Sequence, residues 1–150
     1  MRVVIQRVSE ASVTINDVVK SSITQGFLVL LGITHDDTQE DIDWLTNKIM
    51  GLRVFSDAQG AMNLSVKDIE GDLLVISQFT LHASTKKGNR PSFLEAARPE
   101  VAIPLYERFV STLSRKHTQQ VYTGEFGADM KVRLLNDGPV TISMDSKNRQ

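Results

Sequence analysis

Residues Phe27–Ile33 read FLVLLGI, seven apolar or small residues in a row. An apolar run of this length is the pattern of a strand buried on both faces. It is far too short for a membrane-spanning helix, which needs about 20 apolar residues. Gln25-Gly26 breaks the chain immediately before it. Upstream, Ala11, Val13 and Ile15 alternate with Ser12, Thr14 and Asn16, the period of a half-buried strand. Asn16-Asp17 reads as a turn, so Arg2–Ile23 is predicted to be a meander of short strands.

Downstream the period changes. Thr38 is a good N-cap, and Glu40, Asp41 and Asp43 place negative charge at the positive end of a helix dipole. Ile42, Leu45, Ile49 and Leu52 follow helical spacing, with Gly51 near the expected end. Asp57–Gly60 (DAQG) is a predicted turn, and Leu73–Ser77 (LLVIS) a second buried strand. Residues 82–98 lack periodicity and contain Gly88 and Pro91, which marks a long loop of the kind that binds something. A second helix is expected from Pro99, with Val101, Leu105, Phe109 and Leu113 as its buried stripe. Pro104 should either kink that helix or begin its regular part. In the tail, Met130, Val132 and Leu134, then Val140, Ile142 and Met144, alternate with polar residues. This predicts two strands around Asn136-Asp137-Gly138-Pro139. Strands and two main helices in 150 residues give an α/β fold and one domain, residues 1–150.

Composition narrows the function. At 41% hydrophobic and 23% charged residues, the chain is neither disordered nor fibrous. It has no cysteine, which excludes a disulfide scaffold, a zinc–thiolate site and a thiol nucleophile. Met1–Glu10 carries charges at Arg2, Arg7 and Glu10, unlike a signal peptide, so a cytoplasmic location is expected. The formal net charge of -1 conceals a gradient: nine acids face three bases in residues 36–72, and eleven bases face seven acids in residues 73–150. Lys86, Lys87 and Arg90 lie in the basic half and within the long loop, where a polyanion could be held.

Two segments carry candidate chemistry. Ser77-Gln78-Phe79-Thr80-Leu81 follows a buried strand, where polar side chains cap the strand or line a pocket. The Thr80 hydroxyl would need a base to act as a nucleophile, and His82 is on the same side only if the strand continues. Asp137-Gly138 resembles a hairpin turn, but Pro139 lacks the amide hydrogen that would close it. A cis Gly138–Pro139 bond would instead make a rigid element with no side chain to offer. No zinc-protease, nucleophile-elbow, P-loop or dinucleotide motif is present.

These segments resemble the D-aminoacyl-tRNA deacylase family, also called D-tyrosyl-tRNA deacylases. The resemblance runs through Met1–Val8 (MRVVIQRV), Ser77–Leu81 (SQFTL), Lys87–Phe93 (KGNRPSF), Gly124–Met130 (GEFGADM) and Asn136–Thr141 (NDGPVT). It implies a three-layer β/β/α fold with mixed, partly barrel-like sheets. It implies a hydrolase that cuts the ester between a D-amino acid, in many members also glycine, and the 3′-terminal adenosine of tRNA. It further implies a homodimer in which a cis Gly138–Pro139 reaches into the partner's pocket, and no metal or organic cofactor.

On this reading Ser77, Gln78, Phe79 and Thr80 form the catalytic wall. Gly138, Pro139, Asn136, Met130 and Arg7 bind or support the substrate, and Lys86, Lys87 and Arg90 hold tRNA phosphates. Backbone amides around Phe79-Thr80 would stabilise the oxyanion while water, oriented by the substrate's 2′-hydroxyl, attacks. Two rival readings are a nucleic-acid-binding module without catalysis and a β protein that binds small molecules or peptides.

Overall fold

The computed structural model describes residues 1–150. Its spine is β1 (Arg2–Ile15), long enough to serve two neighbours on one edge. The first half pairs antiparallel with β3 (Gly26–Gly32), from Arg2↔Gly32 to Val8↔Gly26. The second half turns through Asn16 and Asp17, both at positive φ, into β2 (Val18–Ile23). Asparagine and aspartate tolerate that left-handed conformation better than other side chains, so the expected turn forms. β3 pairs parallel with β6 (Asp72–Ser77), and β6 pairs parallel with β7 (Val121–Thr123). The buried run that opened the sequence is thus a central strand, flanked by β1 and β6.

The other edge of β1 is covered by β8 (Lys131–Asp145). Here the structure differs from the expected pair of strands. β8 is one strand, antiparallel to β1 from Thr14↔Lys131 to Arg2↔Asp145, with a bulge in the middle. Asn136 pairs with Val8 and Thr141 with Gln6, so the residues 137–140 are accommodated opposite Arg7 alone. The NDGP turn chemistry produces a local loop within a strand and leaves the chain direction unchanged.

The sheet curls. Ser21 Oγ of β2 donates to the Thr123 carbonyl of β7, at 2.6 Å, so the two ends of the sheet meet in a partial barrel. Inside the curl lies a small core of Val8, Ala11, Val13, Ile23, Leu28, Leu74 and Ile76, with Met130, Val132 and Leu134 of the tail packed on it. On the opposite face a larger core joins Val3, Ile5, Phe27, Val29 and Leu31 to two helices. These two cores separate the three layers. Each large side chain they bury contributes about 1.5–3 kcal/mol.

The helices are α1 (Gln39–Gly51) and α2 (Pro99–Lys116). Thr38 caps α1 as expected, and the Asp41 carboxylate accepts from the Thr38 amide at 2.8 Å. The helix stops at Leu52, which is extended, so no left-handed glycine cap is used. α2 runs unbroken through Pro104, which is exposed. Its buried face is broader than the expected stripe: Ala102, Tyr106 and Thr112 join Leu105, Phe109 and Leu113, while Val101 is 37% exposed. A small separate hairpin, β4 (Phe55–Ser56) and β5 (Met62–Leu64), encloses the predicted Asp57–Gly60 turn. No helix is long and apolar enough to cross a membrane.

A buried polar cluster closes the end of the sheet where β1 and β3 pair at Arg2 and Gly32. The α-ammonium of Met1 donates to Asp37 at 2.5 Å and to Ser146 Oγ at 3.0 Å. Lys147 bridges onward to the Asp41 carboxylate at 3.1 Å. Burial alone would raise the Asp41 pKa. Hydrogen bonds from Ser146, the Thr38 amide and Lys147 outweigh it and bring the value down to about 2.

Candidate active site

An apolar cleft of about 250 Å³ opens at the C-terminal end of β6. Leu31, Ile33 and Ile76 come from the sheet, Ala97 and Ala102 from the approach to α2, and Phe126 from the loop after β7. Ser77, Gln78 and Phe79 line it where β6 ends, together with Asp129 and Met130 from the approach to β8. Gly124 makes this possible: a Cβ there would stand 2.4 Å from Met130 Sδ. The structure therefore brings together three of the four expected wall residues and Met130. Small apolar residues with a few polar groups at the edge are the usual make-up of a ligand cleft.

The rim is shaped by a change of conformation. β6 ends at Ser77, where the Gln78 amide donates to the Leu31 carbonyl at 2.7 Å. Phe79–His82 then form a single 3-10 turn. The first amides of such a turn have no partner within it, which leaves those of Phe79 and Thr80 free of intraturn bonds. The Phe79 ring is 54% exposed and meets Phe93 edge-on, centroids 5.0 Å apart. Thr80 lies outside the cleft lining, and its hydroxyl accepts a hydrogen bond from Gln78 Nε2.

The turn also settles the position of His82. It is buried against Gly32, with its Cδ2 3.0 Å from where a glycine Cβ would stand. No histidine or carboxylate hydrogen-bonds to Thr80 Oγ1, and the strand does not continue past Ser77, so the condition that would put His82 on the side of Thr80 is not met. Burial pushes the His82 pKa below its ordinary value, although a backbone hydrogen bond with Gly32 opposes the shift.

Gly138, Pro139, Asn136 and Arg7 form a different constellation. The Gly138–Pro139 bond is cis. Arg7 is buried and donates Nε to the Asp137 carbonyl at 2.9 Å and Nη1 to the Val54 carbonyl. The Asn136 side chain accepts from the Val140 amide at 2.8 Å and donates to Thr141 Oγ1 at 3.0 Å, bracing the bulge from within. Gly138 has φ 137°, and a Cβ there would stand 2.9 Å from Arg7 Nη2. None of these residues lines the apolar cleft. Arg7 pairs with Phe27 and Phe27 with Leu73, whereas Ser77 is four residues further along β6. Strand geometry thus separates the bulge from the cleft of its own chain by roughly 20 Å.

Lys86, Lys87 and Arg90 are exposed in the loop beyond the turn, and none forms an ion pair. No group of three or more His, Asp or Glu side chains converges as a metal site. Sequence reasoning left the cleft floor unassigned, notably Phe126, Ala97 and Ala102. The glycines on either side of Phe126 were the available signal: Gly124 leaves room for Met130, and Gly127 takes a positive φ of 81°.

Comparison with known proteins assigns this architecture. The chain falls in a class of hydrolases: a family model described as D-Tyr-tRNA(Tyr) deacylase matches residues 4–145. The chain belongs to the D-Tyr-tRNA(Tyr) deacylase family. A protein of Flavobacterium johnsoniae named D-aminoacyl-tRNA deacylase is 62% identical, with all of both chains aligned. One of the same name from Phocaeicola vulgatus is 65% identical, also with full coverage of both. A solved structure titled c-Myc DNA Unwinding Element Binding Protein has a TM-score of 0.92 and 41% identity, covering 97% of this chain and 98% of that one. A probable eukaryotic D-amino acid tRNA deacylase shares the fold at a TM-score of 0.81 and 18% identity, covering 95% of this chain and 97% of that one.

Proposed function

We propose that this chain hydrolyses the ester linking a D-amino acid to the 3′-terminal adenosine of tRNA, a chiral proofreading step in translation, with glycyl-tRNA also accepted. Its membership of a deacylase family supports the reaction. The observation that carries the site is the cleft that Ser77, Gln78, Phe79 and Met130 line together with mostly apolar residues. The floor suits the flat faces of the adenine, and the polar rim suits the ester.

An aminoacyl ester is already activated, so positioning and oxyanion stabilisation suffice. The Phe79 and Thr80 amides receive the developing negative charge. Water attacks, oriented by the terminal 2′-hydroxyl of the substrate. Thr80 acts through its backbone, since its hydroxyl has no base beside it.

The Gly138–Pro139 bulge is too far from its own cleft to take part there. In a homodimer it reaches the partner's cleft, where its carbonyls hold the substrate ammonium. A D side chain then points to solvent, and an L side chain meets the carbonyl wall, so selection works by exclusion. Arg7 and Asn136 hold the bulge in place. Lys86, Lys87 and Arg90 contact phosphates without reading sequence, which makes affinity fall with added salt. The enzyme works in the cytoplasm and uses no metal or organic cofactor.

The test is incubation with D-tyrosyl-tRNA, L-tyrosyl-tRNA and a free D-tyrosine ester. Selective release from the D-aminoacyl-tRNA is expected. Binding of all tRNAs with no release would instead favour a non-catalytic nucleic-acid-binding module. Thr80→Ala is expected to retain single-turnover hydrolysis, and complete loss would restore the covalent route.

A further inference from the structure

A second, polar cleft of about 620 Å³ lies on the far side of the 3-10 turn. The two clefts share walls. Phe79 lines the apolar one and His82 the polar one, at opposite ends of the same turn. Ile33 and Ala97 line the first, while Thr34 and Glu95 line the second. The partition is held by the Ala97 amide on the Ile33 carbonyl, at 2.8 Å, and by the Thr34–Ala96 bridge. From Phe79 to His82 the turn rises roughly 6 Å, about the step between neighbouring nucleotides in an extended strand.

The polar cleft carries both signs of charge. Lys86 and Glu95 line it, and neither side chain is engaged in an ion pair. Arg2 uses Nε on Asp145 and Nη1 on the Leu81 carbonyl, which leaves Nη2 for a ligand. His82, 5% exposed, forms part of the wall, and its Nε2 is buried without a partner. A site for phosphate alone would not contain Asp36, Glu95 and Asp145. A nucleotide resolves the mixture: its phosphate pairs with Lys or Arg, while the exocyclic amine of cytosine donates to a carboxylate. Unstacked bases of single-stranded RNA present that edge freely.

We propose that this cleft binds the cytidine preceding the terminal adenosine of tRNA. Glu95 accepts from its exocyclic amine, and Lys86 and Arg2 Nη2 face the phosphate that joins it to the adenosine. The proposal rests on the D-aminoacyl-tRNA reading and extends the recognised substrate by one nucleotide. A uridine would turn a carbonyl oxygen toward Glu95 and be rejected.

Three D-tyrosyl esters test this with the wild-type enzyme: those of adenosine, of CpA and of UpA. The CpA ester is expected to have a kcat/KM about tenfold above each of the other two, the size of one good base contact. Glu95→Ala, an exposed loop substitution, should bring CpA and UpA together. Lys86→Ala should shrink the advantage of CpA over adenosine. Equal rates for CpA and UpA in the wild type, or unchanged discrimination in Glu95→Ala, would overturn the subsite while leaving the deacylase reading standing. If none of the three esters and no D-tyrosyl-tRNA were cleaved, the deacylase reading would fall and the subsite with it.

Discussion

The two ends of β3 are built on opposite plans. At the Phe27 end, Arg7, Asn136 and the Gly138–Pro139 bulge are tied by hydrogen bonds, and none of them lines the apolar cleft. At the Leu31 end there is a cleft, and its rim is loosely held, with Phe79 half exposed. There the firm bonding is set back, among Met1, Asp37, Asp41, Ser146 and Lys147. One end is a shaped probe and the other a receptacle, roughly 20 Å apart in a single chain. On the proposed homodimer reading, the candidate residues are two half-sites that meet only across two chains.

The most direct way to break this comparison is complementation. Gly138→Ala pushes a Cβ against Arg7 and should disable the probe. Ala128→Trp should fill the receptacle, whose wall includes Ala128. Each variant alone should be inactive on D-tyrosyl-tRNA. Co-refolded in equal amounts, they should regain about a quarter of wild-type turnover, since two-fold pairing makes half the dimers mixed, with one intact site each. A mixture that stays inactive would place probe and receptacle in one chain's service.

A smaller effect distinguishes the ends by stability. Arg7→Ala leaves the Asp137 and Val54 carbonyls without their donor, and denaturant unfolding should show a loss of about 3 kcal/mol. Asp41→Asn weakens the support behind the cleft and should cost about 1–2 kcal/mol near neutral pH. Because the Asp41 pKa is lowered from 3.8 to about 2, its contribution is complete above pH 3.8 and disappears as pH falls through about 2. Stability curves of wild type and Asp41→Asn should therefore converge over that window. The smallest change in stability belongs to the rim. Phe79→Ala loses a half-exposed ring contact with Phe93, worth about 1 kcal/mol or less, and should act mainly by raising KM.

Local patterns made most of the fold legible. FLVLLGI gave a central strand because burial on both faces leaves no room for polar alternation. Thr38 and Asp41 gave the helix start because the cap is a contact over three residues. The tail misled for a physical reason. Pro139 and Gly138 are turn residues, and only long-range pairing with β1 turns their loop into a bulge within one strand. Val101 misled because the buried face of α2 is wider than a single row spaced four apart. In the candidate site, the SQFTL segment was visible as a strand end, but the 3-10 turn that sends Phe79 and His82 to different clefts was not. The cleft floor was hidden because Ala97, Ala102 and Phe126 look like ordinary core residues until the chain is folded.

The hydrogen bond from Ser21 to Thr123 has a consequence for how the curl is closed. It joins β2 and β7 by one side chain, without a backbone ladder between them. At this seam the partial barrel is therefore bonded through a single hydroxyl. Opening there exposes three residues of β7 and leaves the spine of β1 and β3 intact. The loop that follows β7 carries Phe126, a wall of the cleft. The strand at the seam thus leads directly into a wall of the receptacle.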